Sequence, residues 1–61
     1  MLIQIDGIVI NTDQIKYIKI NNKMNYILIY FGEEWTQKVN FPHFDDLERF
    51  LNMLGREQIF A

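Results

Sequence analysis

The stretch LIQIDGIVIN constrains the fold more than any other part of the chain. Asp6-Gly7 stands between isoleucines that alternate with other residues. A two-residue turn of type I′ needs positive φ at both central positions, and Asp-Gly is one of the few pairs that accept this readily. The turn also sets the register. Ile5 falls opposite Ile8 and Ile3 opposite Ile10, so all four isoleucines share one face. Gln4 and Val9 take the other.

The next segments continue in strand-like alternation. Asn11, Thr12 and Asp13 bond their own backbone and favour a tight corner. A strand is expected over residues 15–20, with Ile18 and Ile20 toward the core. Ile15 is out of step by one, which predicts a bulge or a helical turn at the corner. NNKMN is a second turn and leads into a strand over residues 26–31. Gly32-Glu33-Glu34 is a third turn. In WTQKVNF, Trp35, Gln37, Val39 and Phe41 share one face, while Thr36, Lys38 and Asn40 point to water.

Pro42 cannot donate to a strand ladder and ends the sheet. Residues 43–55 then read as one amphipathic helix. Phe44, Leu47, Leu51 and Leu54 recur at helical spacing, and Phe50 widens the stripe. Asp45 and Asp46 fall in the first turn, where the helix dipole favours negative charge. Asp45 and Arg49 are spaced as an i,i+4 pair. His43 takes the N-cap position and Gly55 the C′ position. Residues 56–61 form a short tail bearing Ile59 and Phe60, of a length that frays unless docked. The expected fold is therefore α+β: one domain over residues 1–61, with a four-stranded antiparallel sheet, β-β-β-β-α, and one C-terminal helix packed on one face.

NYILIYF does not fit a sheet covered on one face only. Tyr26, Leu28 and Tyr30 would lie on one side, Ile27, Ile29 and Phe31 on the other, and both sides are apolar or aromatic. A helix covers one face, and the second face of an antiparallel sheet is ordinarily polar. Either the sheet curls into a small barrel that buries both faces, or the second face is an interface. Size favours the interface. A chain of 61 residues buries only about 60% of the surface its unfolded state exposes. Small domains compensate with disulfides, a metal or a second copy. The sequence has no cysteine, so disulfides are excluded and a cytoplasmic setting is expected. Tyrosine and tryptophan are also enriched at interfaces. The expected surface comprises Tyr17, Tyr26, Leu28, Tyr30 and Trp35.

The catalytic inventory is thin. There is neither Cys nor Ser, and His43 is the one histidine. A nucleophile–base triad cannot be assembled from such parts. Asp45, Asp46 and Glu48 point in different directions around a helix and do not converge as metal ligands. The glycines at 7, 32 and 55 serve turns and caps, leaving no phosphate loop. No cofactor or metal is expected, and no enzyme. No apolar run approaches the roughly 18 residues of a membrane span, and no leader peptide is recognised. With 49% hydrophobic residues and nine aromatics among Phe, Trp and Tyr, the chain is globular. The formal net charge is −2, distributed as +1 over residues 1–31 and −3 over residues 32–61.

Three roles follow. The leading one is a non-enzymatic protein-interaction module, homo-oligomeric through the apolar and aromatic sheet face, or bound to another protein. Ile, Asn, Lys, Tyr and Phe make up 28 of the 61 residues. Their codons are AT-rich and suggest a low-GC bacterium or its phage. A second role is accordingly a phage-encoded inhibitor of a host defence protein, or one that captures a small ligand between subunits. The third is single-stranded nucleic-acid binding. Lysines interleave with tyrosines at Lys16, Tyr17, Lys19, Lys23, Tyr26 and Tyr30, but the acidic balance and the scarcity of arginine count against it.

DGIVINTDQIKYIKI followed by YILIYFGEEWTQKVNF resembles the small flagellar FlbD-like family. The shared features are the hairpin Gly7, then Asn11, Asp13 and Ile18 at similar spacing, a strand, the Gly32 turn, a strand bearing Val39 and a C-terminal helix. The likeness runs over most of the chain. It departs in the short first hairpin, the aromatic strand at residues 26–31 and the lack of a lysine-rich tail. The resemblance implies a β-rich domain with a compact regulatory or interaction role, and assigns no functional residues.

Overall fold

The computed structural model describes residues 1–5, 7–32 and 35–57. Five strands and one helix follow in the order β1 (Leu2–Ile5), β2 (Ile8–Asn11), a 3₁₀ turn (Thr12–Gln14), β3 (Tyr17–Asn21), β4 (Tyr26–Tyr30), β5 (Thr36–Asn40) and α1 (Phe44–Met53). The chain is α+β as expected, but the single four-stranded sheet is not formed. β1 and β2 make one two-stranded sheet, and β3–β4–β5 make a second, three-stranded one.

The reason lies in the corner after β2. The Asn11 side chain accepts a hydrogen bond from the Asp13 amide at 3.1 Å and caps the 3₁₀ turn. The turn redirects the chain, so β3 begins a new sheet and pairs with β4 instead of β2. The Lys16 amide donates to the Tyr30 carbonyl at 2.8 Å, although Tyr30 pairs in register with Tyr17. This offset of one residue, as at a β-bulge, absorbs the phase shift expected at Ile15. Because the two sheets stay separate, no closed barrel forms.

The hairpin has the register its turn predicts, with Ile3 opposite Ile10 and Ile5 opposite Ile8. Gly7 has φ +85°; Asp6, the other half of the turn, lies outside the described residues, as do Glu33 and Glu34. The β3–β4 turn uses Asn twice. The Asn21 side chain accepts from the Met24 amide at 3.0 Å, and Asn25 adopts φ 55°, a conformation that Asn tolerates better than most residues.

One core joins the two sheets and the helix. It comprises Ile10 from β2, Ile27 and Ile29 from β4, Val39 from β5, and Leu47, Phe50 and Leu51 from α1, with Ile3, Ile5, Ile8, Ile15, Ile18, Phe31, Phe41 and Leu54 packed around it. Ile27, Ile29 and Leu47 are wholly inaccessible to solvent. Two expected core contributors remain largely outside. Ile20 sits on an edge strand, and Phe44 is the first helical residue, a turn short of the sheet; both are exposed.

The helix ends as the sequence indicates. Gly55 has φ +87°. Its amide donates to the Asn52 carbonyl at 3.0 Å, and the Arg56 amide donates to the Leu51 carbonyl at 3.3 Å. This pair of bonds is the Schellman arrangement. A Cβ at Gly55 would meet nothing within 4 Å, so substitution there is opposed by backbone conformation alone. Gly55→Ala is expected to destabilise by about 1 kcal/mol and Gly55→Asn by clearly less, as read by urea denaturation. Equal losses would mean that the φ at this position is not what selects glycine.

At the other end, His43 occupies the N-cap without a side-chain hydrogen bond. The expected Asp45–Arg49 pair does not form; instead the Arg56 guanidinium pairs with the Glu48 carboxylate and also donates to the Asn52 side chain at 3.3 Å. The tail residues Ile59 and Phe60 lie outside the described residues.

Candidate interaction face

β4 is the middle strand of the three-stranded sheet. Alternation sends Ile27 and Ile29 toward α1 and Tyr26, Leu28 and Tyr30 the other way. The strand pairing then builds a lattice of three rows on the outer face: Tyr17, Tyr30 and Thr36; Lys19, Leu28 and Lys38; Asn21, Tyr26 and Asn40. The hairpin and the helix both pack on the side of Ile27 and Ile29. Neither covers this lattice.

Tyr26, Leu28 and Tyr30 are nevertheless only partly exposed, because their cross-strand neighbours shelter them. Tyr17 and Tyr30 stack with ring centroids 4.4 Å apart and planes 14° from parallel. Lys38, directly opposite Leu28, reaches diagonally to place its Nζ 4.3 Å from the Tyr26 ring centroid. Lys19, on the other side of Leu28, reaches the opposite way, with its Nζ 5.7 Å from the Tyr30 centroid. The lysine stems flank Leu28 while the ammonium groups lie over the rings. Each such contact contributes about 0.5–1 kcal/mol at an exposed site. Together they favour this arrangement of the face over others.

Four of the five residues expected to share a surface are therefore brought together: Tyr17, Tyr26, Leu28 and Tyr30. Trp35 is not with them. Its carbonyl accepts from the Phe31 amide at 3.2 Å, and its ring leans on Phe31 with centroids 5.3 Å apart. Strand alternation puts it on the side of Gln37 and Val39. It is 65% exposed and borders a groove of about 220 Å³ between β2 and the start of β5.

Lys38 belongs to the face together with Lys19, which the sequence already interleaves with the tyrosines. The signal that finds Lys38 is the turn at Gly32. Counting outward from it sets Tyr30 against Thr36 and Leu28 against Lys38.

The charge pattern follows the elements instead of the two halves of the chain. Residues 14–32 and 35–44 contain Lys16, Lys19, Lys23 and Lys38 and no acid. Among the described residues the acids are Asp13, at the 3₁₀ turn, and Asp45, Asp46, Glu48 and Glu57, on or just after the helix. Among the described residues the three-stranded sheet and its turns carry lysines and no acid, while the helix carries three acids and Arg49. Among the described residues no three His, Asp or Glu side chains converge on a point that would hold a metal ion, and no helix is long and apolar enough to cross a membrane.

Comparison with protein-family models, with curated proteins and with solved structures gives no match to this chain. The resemblance to the flagellar family rests on the residues quoted for it above.

Proposed function

We propose that the protein is a non-enzymatic interaction module whose working surface is the outer face of β3–β4–β5. The observation that carries this reading is the lattice itself. Three tyrosines and a leucine sit on one sheet face, stacked and flanked by two lysines, and among the described residues no element lies over them. Such a face has the composition of a binding surface and little conformational freedom left to lose on binding.

The occupant that fits is a protein surface with an apolar centre for Leu28 and acidic groups for Lys19 and Lys38. A second copy presented face to face would set lysines against lysines, which disfavours that arrangement. Single-stranded nucleic acid fits less well, because base stacking needs open ring faces. Here Tyr30 is occupied by Tyr17 and Lys19, and Tyr26 by Lys38.

A photo-crosslinking amino acid at position 17, on the rim of the face, tests the reading in cells. The expected result is an adduct with a distinct protein that disappears when Lys19 and Lys38 are both changed to Glu. Adducts that are absent, or unchanged by the double substitution, would sink it. An adduct of twice the chain mass would mean that the face binds itself.

A further inference from the structure

We infer that the chain self-associates through the free edge of β2, by antiparallel pairing with β2 of a second copy. The starting observation is which residues border the 220 Å³ groove beside Trp35. Ile8, Val9, Ile10 and Asn11 all line it. Successive side chains of a strand point to opposite faces, so four consecutive residues can border one groove only if the strand presents its edge to it.

The hydrogen-bonding pattern says which groups that edge offers. In a hairpin with a two-residue turn, the pair next to the turn exchanges both its hydrogen bonds, and such pairs alternate along the ladder. Ile5–Ile8 is that pair, Ile3–Ile10 is the next, and the Thr12 amide continues the alternation by donating to the Met1 carbonyl at 2.9 Å. The amide and carbonyl of Val9 and the amide of Asn11 therefore point away from β1. Among the described residues no other strand pairs with β2.

Open strand edges invite pairing unless they are blunted by charge, proline or irregular backbone. The two open edges of the larger sheet are blunted, and the outer edge of β1, equally free of charge and proline, does not border the groove beside Trp35. β3 carries Lys19, is preceded by Lys16 and has its ladder offset at Tyr17, while β5 carries Lys38 and is followed by Pro42. β2 has no charge, no proline and no bulge, and apolar Phe31 and Trp35 stand beside it.

A second copy is the occupant because the edge is complementary to itself. A two-fold axis at Val9 brings each Val9 amide to the carbonyl of the other Val9, and no like charges meet. The side chain of Val9, 62% exposed, then lies beside its counterpart, and the two hairpins become one four-stranded sheet. Four residues a side are few against the roughly 20–30 of a standard interface, so a weak, concentration-dependent dimer is expected. Pairing at this edge leaves the tyrosine face of both copies free.

Light scattering on a sizing column, from about 1 µM to about 1 mM chain, reads the association directly. The wild-type chain is expected to pass from monomer to dimer mass over this range. Val9→Pro removes an outward amide that β1 does not use, and is expected to keep the circular dichroism of the wild type while staying monomeric throughout. The chain has no cysteine, so Val9→Cys gives a single thiol. Paired at the axis its Cα atoms would stand about 5.5 Å apart, within disulfide reach, and mild oxidation is expected to give a covalent dimer while Thr36→Cys stays monomeric. A wild-type chain that is monomeric at 1 mM overturns the inference. So does a dimer that survives Val9→Pro and fails to crosslink through Val9→Cys. If that dimer is instead abolished by Leu28→Lys, the interface is the tyrosine face. The crosslinking result at position 17 stands apart from all of these outcomes.

Discussion

Replacing Leu47 by alanine is expected to leave the chain largely unfolded at room temperature. Leu47 is the helix residue that solvent does not reach at all, and it packs in the cluster formed by Ile27, Ile29 and Val39 with the rest of the helix stripe. Truncating a buried leucine to alanine removes its transfer free energy and leaves a cavity, at a cost of about 2–5 kcal/mol. A single core in a chain this short rarely supplies more than about 3–5 kcal/mol in total. The two quantities are of the same size, so one substitution removes most of the stability. Urea denaturation followed by circular dichroism reads this directly, with the wild type showing a native baseline and Leu47→Ala none. Leu47→Met, which conserves volume, is expected to stay folded at a cost below about 1.5 kcal/mol. A Leu47→Ala variant with a normal transition would mean that the helix is not what holds the inner face of the sheet.

Ile10→Ala is expected to have the second largest effect, and it tests how the two sheets depend on each other. Among the described residues Ile10 is the one hairpin residue buried in the core, at 4% exposure; Ile3, Ile5 and Ile8 pack around it. A two-stranded hairpin is marginal by itself in water, and without it the core of the larger sheet is open to solvent along one side. The substitution is expected to cost about 2–4 kcal/mol and to do so in one cooperative step. Trp35, which borders the same groove as Ile8 and Val9, should report the hairpin side by its fluorescence, and far-ultraviolet circular dichroism the whole fold. Coincident transitions at lower denaturant would show that both sheets unfold together. If fluorescence changed well before circular dichroism, the hairpin would be a separable unit and the common core less cooperative than its packing implies.

Local chemistry explains which parts of the fold were legible in the sequence. The first hairpin was readable because turn and alternation agree: Asp6-Gly7 fixes the register that Ile3, Ile5, Ile8 and Ile10 require. The helix was readable from Leu47, Phe50, Leu51 and Leu54, and its end from Gly55. The division into two sheets was not, and four strands were expected where five form. Asn11 to Gln14 signals a corner, but the angle of a corner depends on the 3₁₀ turn and on what the next strand finds to pair with. The candidate face was half legible. Alternation within β4 gathers Tyr26, Leu28 and Tyr30, whereas the lysines beside them come from other strands and need the cross-strand register. Trp35 was grouped with the tyrosines for its residue type, although parity already set it with Gln37 and Val39.

Among the described residues the lysines lie on the sheet and most of the acids on the helix, which gives this part of the molecule an electric dipole as well as a surface. Fields between exposed charges extend about 8–10 Å at physiological ionic strength. The acidic partner proposed above would, at that range, pull the sheet forward and push the helix away, turning the molecule before it touches. Orientation is then settled during approach, and fewer encounters are wasted on the wrong side of a body only 27 × 26 × 21 Å across. Added salt would act mainly on the rate of arrival and little on the rate of departure.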